Sequence, residues 1–165
     1  MGICTDLNLH FMYQTLIFLH SLVRWLVLVS LLSAIIRAYR GYTSGQVFTK
    51  MDDSIRHWTA TIAHIQLIIG FTLYFTSPIS KTFFAHFNEA VAHTNLAFFG
   101  IAHILFMLIS IVILTIGSAL AKRQSTDKEK FRTMLVWFSV GLGLIFLAIP
   151  WPFSPFANRP YIRPF

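Results

Sequence analysis

Acidic residues are scarce in this chain, and none stands inside its long apolar runs. Six Asp and Glu are set against thirteen Lys and Arg, a net charge of +7 at neutral pH over 165 residues. Charged residues make up 12% and hydrophobic ones 56%, whereas a soluble domain is about a quarter charged. A separate soluble domain is thereby excluded, and residues 1–165 read as a single membrane domain. Cysteine is almost absent. Cys4 stands alone, which rules out an internal disulfide and any multi-cysteine metal site. No HExxH pair, Gly-rich phosphate loop or Ser/His/Asp arrangement can be read from the chain. The opening MGICTD has no basic n-region and no cleavage motif follows the first apolar run, so a removable signal peptide is not expected. Asp6 also breaks the myristoylation pattern.

What the chain does have is four long apolar runs, at about 11–38, 57–76, 93–121 and 132–149. A spanning helix needs ~20 predominantly apolar residues. The expected fold is therefore an all-α membrane protein, a four-transmembrane-helix up-down bundle, with a Pro- and aromatic-rich tail over 150–165 lying irregularly in the interface. Gly41, Ser44 and Gly45 mark the first turn, and Asp53 and Ser54 are candidate caps for the second helix. Residues 79–91 are short, mixed and aromatic, fitting either an interfacial helix or the start of the third span. Ser139 and Gly143 form a small-xxx-small pair suited to close helix contact, and Pro150 ends the fourth run.

The basic excess does not point to nucleic acid, because no basic face with interleaved aromatics appears on a soluble element. It lies in the connections instead. Arg37, Arg40, Lys50 and Arg56 flank the first link; Lys122, Arg123, Lys128, Lys130 and Arg132 flank the third. The other side has Lys81, Arg159 and Arg163. The positive-inside rule then puts both basic links in the cytoplasm and both termini outside.

Three runs carry an interior histidine: His20, His64 and His103. A histidine in hydrocarbon is costly without a partner and marks a candidate functional site. Neutral imidazole is a standard axial ligand for haem iron, and a helical bundle can hold the macrocycle between facing helices. Depth along the helices favours His20 with His103 as the ligand pair, and His64 with His103 is the alternative. His57 and His93 would serve for a second haem, while His10, His86 and the expected solvated ends need no ligand role. Met107 is read as core filling. Gly100, one turn before His103, removes a side chain where a ring would approach. Arg24 is the other costly residue, because no run supplies a carboxylate. A haem propionate, a quinone oxygen or an acidic group on another subunit would answer it. His64 and Gln66 fall on nearly opposite sides of the second helix.

The segments LHSLVRWLVL, AHIQLIIGFTLYFTSP, AHILFMLISIVILTIG and the closing IPWPF together resemble the small four-span bacterial membrane proteins labelled cytochrome B-like. The resemblance runs from about residue 18 to 153. It implies a b-type haem held by histidines and a role in membrane electron transport. Relatives carry an acidic residue just before the third-span histidine where this chain has Ala102, so no proton-coupled role for that carboxylate transfers. The leading expectation is an electron-transfer subunit with haem b, working with other membrane subunits of a larger respiratory or redox complex. The alternatives are a haem-free accessory subunit and a small quinone-binding oxidoreductase.

Overall fold

The computed structural model describes residues 2–155, 157 and 159–162, with residues 2–9 described by backbone alone. The side chains of Cys4 and Asp6, and Arg163 from the charge comparison, lie outside the described residues. The chain folds as α1 (Gly2–Thr43), α2 (Lys50–Thr76), three short helices α3 (Pro78–Ala85), α4 (Phe87–Ala90) and α5 (Thr94–Ala97), a π-helical turn (Phe98–Ala102), then α6 (His103–Arg123) and α7 (Asp127–Ala148). Among the described residues there is no strand.

Four helical stretches are long and apolar enough to span a bilayer: His10–Thr43, Lys50–Thr76, Thr94–Arg123 and Asp127–Ala148. At ~1.5 Å rise per residue even the last, with 22 residues, matches a hydrocarbon core about 30 Å thick. Neighbouring contacts run α1 to α2, α2 to α6, α6 to α7 and α7 to α1. The bundle is thus a closed ring in chain order, with α1 diagonal to α6. That diagonal carries both His20 and His103.

The packing follows helical spacing. Val27, Leu31, Ala34 and Ala38 of α1 are buried, at alternating steps of four and three residues, and so are Phe131, Met134, Phe138, Gly141, Ile145 and Ala148 of α7. This is the seam expected of helices crossing at a shallow angle. The opposite face of α1 exposes Leu22, Leu26, Val29 and Ile36, the face that meets lipid.

Close approach depends on glycine, though not at the expected pair. Ser139 and Gly143 are exposed, and a side-chain carbon at Gly143 would meet nothing within 4 Å. The reason is phase, because both lie on the face of α7 opposite Phe138 and Gly141. The contact falls instead on Gly117 of α6, seated against the stem of Trp137, and on Gly141, where a Cβ would come within 2.6 Å of Leu114.

The end of the bundle bearing the basic links is closed by ion pairs. Helix α2 begins earlier than expected, at Lys50, because Thr49 and Asp52 form a capping box; Asp53 and Ser54 are not its caps. Asp52, 1% exposed, also accepts from Arg37 at 2.6 and 3.2 Å. Arg56 is buried and donates to Asp53 (2.9 Å) and to the carbonyl of Ser118 (3.0 Å), pinning α2 to α6. Residues 79–91 form α3 and α4, and Pro78 takes the first position of α3, where its missing N–H costs nothing.

Substituting Gly117 by Ala should destabilise the bundle by about 1–3 kcal/mol through overpacking against Trp137. Gly143→Ala should leave stability unchanged or slightly higher, since Ala is the better helix former. Thermal unfolding followed by circular dichroism in detergent compares the two. An equal loss in both would contradict this packing.

Candidate functional site

The site begins where α7 ends. Pro150 cannot continue a helix and restricts the residue before it, so α7 stops at Ala148 while α1, α2 and the segment leading into α6 continue. The last carbonyls of any helix lack intrahelical partners, and hydrocarbon offers none. Two ring N–H groups supply them. Nδ1 of His103 donates to the carbonyl of Ala148 at 2.8 Å, and Nε1 of Trp151 donates to that of Phe146 at 2.9 Å. His103 follows directly on the π-helical turn, whose extra residue rotates it relative to the helix above. The Gly100 carbonyl in that turn accepts from the Tyr74 hydroxyl at 2.7 Å, which ties the turn to α2.

His20 reaches the same level from α1. Its ring centre lies 6.4 Å from that of His103, with the planes at 68°. Gln66 of α2 holds it: the amide nitrogen donates to the His20 carbonyl at 2.9 Å and lies 3.2 Å from Nδ1. Gly70, one turn along α2, makes room for the ring, since a Cβ there would stand 3.3 Å from Cε1 of His20. The two imidazoles thus come from diagonal helices, each engaged at Nδ1.

They line a cavity of about 200 Å³. Its walls are mostly apolar and include Ile17, Val27, Leu67, Met107 and Ile145, with Arg24 and Gln66 as polar members. The missing length of α7 is replaced by the tail, whose Arg159 and Pro160 also line the space. Arg24 donates to the carbonyl of Tyr161, as does Nε1 of Trp25 at 3.1 Å. Trp151 is buried and packs on Trp25, Phe146 and Phe153. Among its described residues the tail has no helix or strand, and it meets α1 through Trp151 and Tyr161.

Arg24 forms no ion pair among the described residues, and its Nε is buried without a partner there. Its guanidinium also lies over the Trp25 ring, 5.8 Å from the centroid, and reaches Ser21 Oγ at a long 3.5 Å. The Oε1 of Gln66 is likewise buried without a partner among the described residues. Each such atom costs about 1–3 kcal/mol, and both belong to side chains lining the cavity.

Other candidates are placed elsewhere. His64 does not reach the cavity; its Nδ1 lies 2.7 Å from the Ala60 carbonyl and its Nε2 3.1 Å from Thr115 Oγ1, so both nitrogens are used inside the protein. Gly100 does accommodate a ring, but the ring is that of Phe83 from α3, which fills the space a Cβ would take. His57 and His93 are exposed; His57 is near the start of α2 and His93 precedes α5, at opposite ends of the bundle, so they form no pair. His10 and His86 are exposed. Gln66 is the residue sequence reasoning passed over. Its signal was a polar side chain in an apolar helix, nearly opposite His64 on α2.

Among the described residues no three His, Cys, Asp or Glu side chains gather in one place. Comparison of the chain with family models, curated proteins and solved structures gives no match.

Tyr74→Phe removes the donor to Gly100 while keeping the ring, and leaves a carbonyl in an apolar setting. A loss of about 1–3 kcal/mol is expected, read as a lower unfolding midpoint in detergent. An unchanged midpoint would show that this bond does not hold the π-helical turn.

Proposed function

We propose that the cavity holds a haem b between His20 and His103, and that the protein is a membrane electron-transfer subunit. The single observation that carries this is the pair's spacing across the bundle diagonal. The ring centres stand 6.4 Å apart, close enough that His20 and His103 could both hold one haem iron between them.

The remaining residues fit the group. Its propionates are anions, and Arg24 is a half-buried cation whose Nε–H is buried and unused and which pairs with no carboxylate among the described residues. The apolar walls exclude water from the ring. The Ala148 carbonyl orients His103 through Nδ1–H, which leaves Nε2 as the ligating nitrogen. Bound there, haem supplies reversible one-electron chemistry. This chain's residues fix its depth, neutralise its acid groups and cover it with the tail. The positive-inside rule, applied to the two basic links, puts those links in the cytoplasm of a bacterial inner membrane and the site toward the outer surface. Other membrane subunits would serve as its electron donor and acceptor.

A second reading, a quinone site, draws on the same orphaned groups. The Nε–H of Arg24 could donate to a ring oxygen in an apolar cavity.

The purified protein, expressed with haem supply, should show a reduced-minus-oxidised difference spectrum with b-type bands and a pyridine haemochrome. His20→Ala and His103→Ala should each lose most of the bound haem, His64→Ala should retain it, and Arg24→Gln should bind it more weakly. Well-folded protein without any haem band would overturn this reading and leave the quinone site standing. Loss of haem in His64→Ala alone would refute the ligand pair.

A further inference from the structure

We propose that Gln66 is the positioning residue of His20, and that its amide decides whether His20 offers the cavity a proton or a lone pair. The last step of this inference, ligation by His20, rests on the haem reading; the tautomer itself does not.

The argument follows from what each atom can do. The His20 carbonyl accepts only, so the Gln66 atom 2.9 Å from it is the amide nitrogen. That nitrogen, which donates only, is also 3.2 Å from Nδ1 of His20. Nδ1 therefore accepts, and in the neutral ring the proton sits on Nε2. His103 is the reverse case. Its Nδ1 faces the Ala148 carbonyl at 2.8 Å, so Nδ1 carries the proton and Nε2 keeps its lone pair. The two rings present unlike nitrogens to one cavity.

Gln66 also holds the means of changing this. Its Oε1 is buried and has no partner among the described residues. A half-turn of the amide puts Oε1 beside Nδ1, and the ring's single proton moves from Nε2 to Nδ1 with no change in charge. His20 then offers a lone pair at Nε2, matching His103. The cost is the hydrogen bond to the His20 carbonyl, which lies within α1 and then faces Oε1, while the NH2 group takes the buried place that has no partner among the described residues. The gain is a hydrogen bond from Nδ1–H to Oε1, so it is use of the Nε2 lone pair in a filled site that would drive the turn. Gly70 leaves room for the ring in either state, since a Cβ there would crowd Cε1. The two orientations of one amide thus correspond to two roles for His20: donor in the haem-free chain, ligand when the site is filled.

The test uses full-length protein labelled with nitrogen-15 at histidine, in detergent and free of haem, with His20→Asn and His103→Asn spectra assigning the signals. Wild type should show His20 protonated at Nε2 and His103 at Nδ1. In Gln66→Leu the His20 nitrogens should move toward a common averaged position while those of His103 stay. Gln66→Glu, which accepts only, should drive the His20 proton to Nδ1, and it provides the result if the Leu variant does not fold. A wild-type His20 protonated at Nδ1, or a tautomer indifferent to both substitutions, overturns the proposal. In haem-loaded protein Gln66→Glu should lower the midpoint potential at wild-type haem content, because a carboxylate makes the ligand more basic; an unmoved potential refutes the ligation step. Absence of haem in wild type refutes the haem reading while the tautomer result stands.

Discussion

Hydrocarbon gives a polar group nothing to bond, and the architecture around the cavity follows from that. Helix α7 stops short at Pro150, so its last carbonyls must be met by side chains. His103 meets one and Trp151 another. This places an imidazole at a defined level, fixes its tautomer, and leaves a gap in the ring of helices that the tail then covers. The same rule explains the Gly100 carbonyl, turned out of regular register by the π-helical turn and taken by Tyr74. Polar atoms that escape the rule are few, and two of them, on Arg24 and Gln66, belong to side chains that line the cavity.

Packing and chemistry are kept at separate ends. The basic end is built for rigidity, with Arg37, Asp52, Arg56 and Ser118 tying three helices together and Phe131 seated on Gly41. The alternating seam of α1 and α7 runs up from there. At the level of His20 the seam gives way to open space, because α7 no longer supplies side chains. A rigid base beneath the cavity holds the helices that carry His20 and His103 by contacts remote from it.

Much of the site was legible before the structure. His20, His103 and Arg24 stood out because charged or ionisable groups in apolar runs are expensive, and the structure brings their side chains around one cavity. What misled was azimuth. His64 lay on a coherent helical face, yet that face turns to Thr115 of α6 and both its nitrogens are spent there. Gln66, on the other side of the same helix, faces His20. Gly100 was read as room for a bound ring, but the ring seated there is Phe83 of α3, a short helix whose packing no periodicity announces. The Ser139 and Gly143 pair failed for a similar reason. Small-residue spacing shows that two helices can approach, not which face does so.

By itself the sequence determined the membrane class, the number of spans, the basic asymmetry of the links and the cost of each buried polar residue. These depend on composition and on distance along the chain. The rotation of each helix, the seating of the tail over Arg24, the partner of each histidine nitrogen and the 6.4 Å approach of His20 to His103 were decided only in the tertiary structure. The physical reason is that these depend on how four helices interlock. A helix can be turned through half a revolution with little change in its own hydrophobic pattern when lipid and protein interior are alike apolar.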